Sequence, residues 1–169
     1  MCGAKRVPDR GVMRSNPRQP AFSLLELVLV VAIIAILASM AVPRYGHAVL
    51  RYRADAAARR VVADLEVARK RAIHAGAART VSFDAAADSY QLAGMMDPVR
   101  PSLPYVVSLG DEPYGATIVS VDFGGETQVT FDAYGLPVGE KGSGGVVVQV
   151  GGEARKIVVD SQTGEASIQ

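Results

Sequence analysis

Apolar residues dominate one long stretch near the start of the chain. Between residues 22 and 42 the only polar side chains are those of Ser23, Glu26 and Ser39. As an α-helix rising 1.5 Å per residue, this stretch would be about 31 Å long, which is close to the hydrocarbon thickness of a bilayer. The pattern therefore predicts a transmembrane helix over 22–43 that ends near Pro43.

After Pro43 the apolar residues become periodic. They recur every three or four positions, which is the spacing of one face of an amphipathic helix: Ala54, Ala57, Val61, Leu65, Ala68 and Ala72. The stripe is narrow and rich in alanine, which favours close packing against a sheet. The predicted helix covers 44–76, continues the apolar one, and has Gly76 as its C-cap.

From residue 77 onward the pattern changes to short strands. Runs rich in β-branched and aromatic residues alternate with turn residues, and the predicted strands are Thr80–Phe83, Tyr90–Ala93, Tyr105–Leu109, Thr117–Phe123, Gln128–Phe131, Gly145–Val150, Arg155–Val159 and Ala166–Ile168. Gly151 and Gly152 separate two of these runs and predict a hairpin. The predicted fold class is α+β, with a long N-terminal helix packed on an antiparallel β-sheet head over 77–169.

The charges are distributed unevenly, although the 18 basic and 17 acidic residues nearly cancel. Residues 1–21 carry five basic side chains and one acid, residues 44–76 carry eight and three, and residues 77–169 carry five and twelve. A basic segment before a membrane helix stays in the cytoplasm, so the head is expected on the opposite side. The net charge of −7 on the head argues against a nucleic-acid partner, because such binding needs a basic surface.

Glu26 is unexpected within an apolar helix, because a charged side chain inside a bilayer costs about 2.5–3.5 kcal/mol. The nearest upstream cation, Arg18, is too far away along the chain to pair with it at i,i+4. Cleavage between Ala21 and Phe22 would create an α-amino group four residues before Glu26. Amine and carboxylate could then pair within one chain or between neighbouring chains.

The segment Ala-Phe-Ser-Leu-Leu-Glu at residues 21–26, with the apolar run closed by Pro43, resembles the type IV prepilin cleavage and methylation motif. Ala21 stands where that family usually has glycine. The resemblance covers residues 18–43. It implies cleavage between Ala21 and Phe22 by a prepilin peptidase, N-methylation of Phe22, and assembly of Glu26 against the amine of a neighbouring subunit.

An ordinary secretory signal peptide is the alternative interpretation of the same segment. Ser39 and Ala41 provide a small-x-small cleavage site. The apolar run is longer than a usual signal-peptide core, and Glu26 has no purpose in such a segment. The prepilin interpretation is therefore favoured.

A looser resemblance extends to the rest of the chain. The segments 68–76, 80–83, 129–135 and 157–164 are similar to the GspH/FimT-like minor pseudopilins. That resemblance implies a minor subunit of a type II secretion pseudopilus or a type IV pilus. The implied partners are other pilin or pseudopilin subunits, the prepilin peptidase/methyltransferase and inner-membrane lipid. The implied location is the bacterial inner membrane, with a single pass, a cytoplasmic N-terminus and a periplasmic head, and then a filament.

No residue pattern indicates catalysis, a cofactor or a metal, so the chain is not expected to be an enzyme. Cys2 is the only cysteine, His47 and His74 are far apart, and no G-x-S-x-G motif occurs. The alternative function is a DNA-binding minor pilin for natural transformation, through the basic side chains of the second helix.

Those basic side chains have a simpler interpretation. They lie off the apolar stripe and are Arg53, Arg59, Arg60, Arg69, Lys70 and Arg71. A solvated face, paired with the acidic half of the chain or with neighbouring subunits, is favoured over contact with nucleic acid. Arg44, Arg51 and Arg53 follow the apolar run directly and are the best candidates for contact with lipid headgroups.

Overall fold

The computed structural model describes residues 23–139 and 144–169, and over residues 40–45 it describes the backbone alone. The chain divides into two compact units, residues 1–41 and residues 42–169. One helix, α1, is assigned over Leu24–Ala75 and so contributes to both units. Ala21 and Phe22 lie outside the described residues, so the predicted cleavage site and the start of the predicted transmembrane segment stay predictions.

In the part of the chain that the structure describes, no helix meets the length and hydropathy required to cross a bilayer.

The second unit contains eight described strands, one for each predicted strand. They are β1 (Arg79–Asp84), β2 (Ser89–Met96), β3 (Pro104–Ser108), β4 (Thr117–Asp122), β5 (Gln128–Phe131), β6 (Gly144–Val150), β7 (Glu153–Val159) and β8 (Ala166–Ile168). The largest difference is in β2, which runs three residues beyond the predicted end. The pairing of β2 with β3 is irregular between Gln91 and Met96, and Gly94 has a positive φ there. This irregularity lets the strand continue until Met96 pairs with Pro104.

The strands form two antiparallel sheets of four. The first sheet has the order β3-β2-β1-β5 and the second has the order β4-β6-β7-β8. Between β3 and β4 the backbone N–H groups of Leu109 and Ala116 donate to the carbonyls of Asp88 and Leu109, both at 2.8 Å. These bonds close a compact connection where the chain passes from one sheet to the other. The predicted hairpin at Gly151 and Gly152 is confirmed, because β6 and β7 pair throughout.

The apolar stripe of α1 forms the centre of the core. All six of its predicted residues are buried, and Ala58 is buried with them. The inward-facing side chains of both sheets complete the core: Val81, Phe83, Tyr90, Leu92, Val129 and Phe131 from the first sheet, and Ile118, Val146, Val148, Val150, Ile157 and Val159 from the second. Because alanine side chains are small, both sheets can pack closely against this one stripe of the helix.

The end of α1 is fixed by a Schellman motif. Gly76 adopts φ +59°, its N–H donates to the carbonyl of Ile73, and the N–H of Ala77 donates to the carbonyl of Ala72. Only glycine reaches this backbone conformation at little cost, so it occupies the position after the last helical residue. The predicted C-cap at Gly76 is confirmed.

Candidate assembly site

The start of α1 is capped by the residue before it. The hydroxyl oxygen of Ser23 accepts a hydrogen bond from the backbone N–H of Glu26 at 3.1 Å, and the Ser23 carbonyl accepts one from Leu27. Ser23 is therefore an N-cap, and Glu26 is the third residue of the first turn. A carboxylate at this position also interacts favourably with the positive end of the helix dipole.

The helical turns that follow expose an unusual amount of apolar surface. Between 43 and 81% of each large apolar side chain is exposed: Leu24, Leu25, Leu27, Val28, Leu29, Val30, Val31, Ile33, Ile34, Ile36 and Leu37. A contiguous apolar surface of this size marks a site of contact with protein or membrane. Glu26 lies exposed among these residues. Pro43 lies within the assigned helix, where the structure describes backbone alone.

A second cluster, which sequence reasoning missed, lies between α1 and the first sheet. Asp64 is only 5% exposed and is the one buried charged residue in the described ranges. Its carboxylate accepts hydrogen bonds from the Tyr90 hydroxyl at 2.6 Å, Arg60 Nε at 3.0 Å and the Tyr105 hydroxyl at 3.1 Å. Arg60 also donates to the Tyr105 hydroxyl. Three donors on one carboxylate offset the cost of burying its charge.

The protonation of this cluster follows from its surroundings. Burial raises the pKa of Tyr90 far above its ordinary value, and the adjacent negative charge of Asp64 raises it further. Burial and the same carboxylate raise the pKa of Tyr105. Partial burial opposes the charge on Arg60, but Asp64 and the two tyrosines outweigh this effect and raise the pKa of its guanidinium. Arg60 therefore stays charged and both phenols stay neutral at physiological pH.

Polar contacts also attach α1 to the second sheet. Arg155 Nε of β7 donates to Asp55 at 2.6 Å. Glu66 accepts a hydrogen bond from the backbone N–H of Ala166 at 3.4 Å and forms a 3.4 Å ion pair with Arg69. The bonds of Asp55 to Arg155 and of Glu66 to Ala166 join the helix to the last two strands, whereas the Glu66–Arg69 pair lies within the helix. Together with the Asp64 cluster, they fix the helix between the two sheets.

The basic residues of the helix divide into two groups. Some pair with acids of the same chain: Arg51 with Glu153 at 3.6 Å, Arg53 with Glu112 at 3.9 Å, Arg60 with Asp64 and Arg69 with Glu66. Arg59, Lys70 and Arg71 are exposed and form no ion pair with any described residue. Pairing with the acidic half of the chain therefore accounts for only part of the predicted solvated face.

An open crevice of about 300 Å³ lies beside β5, next to the ends of β4, β6 and β7. Its lining is mixed, with Phe123, Val138 and Val159 beside Glu126 and Ser161. Within residues 23–139 and 144–169, no three side chains of the metal-ligating types come together.

A capped apolar helix that leads into an α+β head with two antiparallel sheets defines a pilin-like protein. Residues 16–42 match the family described as "prokaryotic N-terminal methylation motif". Residues 57–164, more than half of the chain, match the family described as "type II transport protein GspH". The chain belongs to the GspH family of type II transport proteins. It is a minor pilin or pseudopilin subunit, and this family consists of structural proteins. The N-terminal motif is that of a membrane-anchored protein that is assembled into a filament.

Solved structures share this fold at low sequence identity. The type IV minor pilin FimU of Pseudomonas aeruginosa strain PAO1 is 18% identical, with a TM-score of 0.53 over 70% of this chain and 90% of that one. The minor pseudopilin EpsH of the type 2 secretion system of Vibrio cholerae is 13% identical, with a TM-score of 0.52 over 69% of this chain and 96% of that one. No curated protein matches the sequence significantly.

Proposed function

We propose that this chain is a structural subunit of a type II secretion pseudopilus, assembled through the exposed apolar segment of α1. The observation that carries the proposal is Glu26 at the start of that segment. Its carboxylate has no hydrogen-bond partner among the described residues, and apolar side chains surround it on the helix. An unpartnered carboxylate in an apolar surface requires a cation once that surface is covered.

The cation in this proposal is the N-terminus itself. Cleavage between Ala21 and Phe22 places an α-amino group directly before the Ser23 cap and one turn from Glu26. Methylation of this amine on Phe22 retains its positive charge. Pairing it with Glu26 of a neighbouring subunit sets the height of one helix against the next, because a misaligned pair would leave two buried charges unpaired.

The proposed topology follows from the charges on either side of the apolar run. Residues 1–21 form a cytoplasmic leader that cleavage removes, and their net charge of +4 orients the chain. Residues 22–43 form the membrane and assembly segment, a single pass through the inner membrane that includes Phe22, outside the described residues. Residues 44–76 continue the helix, and 77–169 form a periplasmic head. Before assembly the subunit contacts inner-membrane lipid, the prepilin peptidase/methyltransferase and other pseudopilins.

Secretion is favoured over a type IV pilus because the matching family is described by type II transport. The DNA-binding alternative gains no support from the comparisons. Residues 77–169 carry a net charge of −7, and part of the basic helix is already paired with that acidic head. A DNA-binding surface would need the opposite balance.

The test is Glu26→Gln in the full chain, in cells that carry the rest of the secretion machinery. The amide retains the size of the side chain but cannot neutralise a buried amine. We expect the variant to be cleaved before Phe22, with one added methyl group by mass spectrometry, and to be missing from sheared filaments. Glu165→Gln, which removes an exposed carboxylate from the head, is the matched control and should assemble normally. Incorporation of Glu26→Gln at the level of the control would overturn the assembly role.

A further inference from the structure

One strip of α1 faces away from both sheets. At 3.6 residues per turn its members fall within about 120° of arc, opposite the buried alanine stripe. We name the exposed residues of this arc the basic strip: Tyr52, Arg59, Ala63, Val67, Lys70, Arg71 and His74. All seven are exposed. At about 1.5 Å per residue, the strip is roughly 33 Å long.

The basic strip contains no acid, because the helix uses its acidic residues elsewhere. The acids between residues 52 and 74 are Asp55, Asp64 and Glu66. Asp55 bonds to Arg155, Asp64 bonds to Tyr90, and Glu66 bonds to the backbone of Ala166. Each acid therefore faces the head and is occupied there, which leaves cations alone among the charged residues of the outer face.

The cations of the strip are also uncompensated. Arg59, Lys70 and Arg71 have no acidic oxygen within 4.0 Å in the described ranges. By contrast, Arg51 and Arg53, on either side of Tyr52, both pair with acids of the head. An acidic partner would therefore gain charge pairs with the cations of the strip without breaking any existing pair.

The middle of the strip favours a protein partner. Ala63 and Val67 lie between Arg59 and Lys70, and Val67 is 39% exposed. A small apolar centre with charges at its rim is the usual anatomy of a protein interface. Nucleic acid gains little from such a centre, and the head beside it, at −7, repels a phosphate backbone.

We propose that the basic strip is a docking surface for an acidic face of a neighbouring filament subunit. In this contact carboxylates of the neighbour pair with Arg59 and Lys70, while its apolar side chains cover Ala63 and Val67. The inference rests on the proposed function, because it assumes that the chain lies in a filament. It concerns a different surface from the apolar segment around Glu26, so the two can fail separately.

The experiment places a photoreactive amino acid at position 63 of the full chain, in cells that carry the secretion machinery. We expect a covalent adduct to a pilin-like subunit, with the attached peptide, identified by mass spectrometry, lying beside acidic residues. Combining the label with Arg59→Glu and Lys70→Glu should reduce this adduct by about tenfold, a change equivalent to about 1.4 kcal/mol. The matched control is Lys156→Glu, which reverses an exposed charge on β7 and should leave the adduct unchanged.

A second label at Leu29 separates this inference from the proposed function. If the label at 29 captures pilin-like subunits and the label at 63 does not, the docking surface is wrong and the filament assignment stands. An adduct from position 63 to nucleic acid or lipid, or an adduct insensitive to charge reversal, also overturns the docking surface. Failure of both labels to capture a subunit would overturn both proposals.

Discussion

Tyr90 and Asp64 are joined by a 2.6 Å hydrogen bond across the interface between β2 and α1. Both side chains are almost fully buried, and 26 residues separate them in the chain. The bond attaches the middle of the first sheet to the helix at a defined position. Apolar packing alone would allow the sheet to slide along an alanine stripe, whereas a directional bond to a buried carboxylate does not.

Replacing Asp64 should weaken the head strongly. In Asp64→Ala the buried Tyr90 hydroxyl loses its acceptor, whereas Arg60, whose side chain is 38% exposed, can reach water, so we expect the free energy of unfolding to fall by about 1–3 kcal/mol. Urea unfolding of the full chain in detergent, followed by the near-ultraviolet circular dichroism of tyrosine, measures this change, since the chain has no tryptophan. Asp111→Ala, at an exposed acid, should leave stability nearly unchanged. Similar unfolding curves for the two variants would contradict the role given to Asp64.

The same cluster makes stability sensitive to alkaline pH. The folded state raises the pKa of Tyr90 above the ordinary value of 10.0, so above that pH the unfolded chain releases a proton that the folded chain retains. The stabilising contribution is complete below pH 10 and is lost as the pH rises, at about 1.4 kcal/mol per pH unit. Urea midpoints at pH 9 and pH 11 test this prediction.

A Tyr90→Phe variant is the control for that titration. It removes the ionisable group and should lose less stability between the two pH values than the unmodified chain. Tyrosinate absorbance gives a second measurement, because burial raises the pKa of Tyr90 and should keep its phenol neutral well above pH 10 while the head is folded. Ionisation of all tyrosines together, with the fold intact, would contradict the prediction.

Gly46, inside α1, and Gly76, directly after its last residue, should respond to alanine in opposite directions. Gly76 has φ +59° and no atom near its missing Cβ, so Gly76→Ala should cost about 1–2 kcal/mol through backbone strain alone. Gly46 lies inside the helix with open space around it, so Gly46→Ala should stabilise the chain by up to about 1 kcal/mol. Thermal unfolding measures the change in stability of each variant. If both variants were stabilised, the Schellman motif would not restrict which residue can occupy position 76.

Gly164 should tolerate no side chain. Its φ is +69°, and an added Cβ would overlap the carbonyl oxygen of Gly135. We expect Gly164→Ala to separate the loops after β5 and β7 and to destabilise the head by about 2–4 kcal/mol. Gly152→Ala, in the β6–β7 hairpin with no atom within 4 Å of its missing Cβ and no positive φ, is the matched control and should change stability little. Equal unfolding midpoints would show that the two loops can move apart freely.

Local patterns in the sequence predict most of the fold. The alanine stripe, the end of the helix at Gly76 and the eight strands each depend on residues close together in the chain, and the structure contains all of them. The division into two sheets has no local cause, because consecutive strands β3 and β4 go to different sheets. A strand's own residues specify which of its faces is buried but not which strand becomes its neighbour.

The Asp64 cluster could not be predicted for a related reason. Its partners Tyr90 and Tyr105 lie 26 and 41 residues further along the chain, and each tyrosine fits its strand as an ordinary apolar position. One signal was available in the sequence. Asp64 lies three residues after Val61 and four before Ala68 of the apolar stripe, so its carboxylate had to lie near the edge of the buried face. The basic strip also became visible only when the structure showed where the helix acids point.

The contacts between the helix and the last two strands determine when the head can finish folding. Asp55 bonds to Arg155, and Glu66 bonds to the backbone of Ala166, each across 100 residues of chain. The helix emerges first during synthesis, yet the second sheet cannot close on it until β7 and β8 exist. In the proposed topology, where the head crosses a membrane, we therefore expect its core to assemble only after β7 and β8 have been exported.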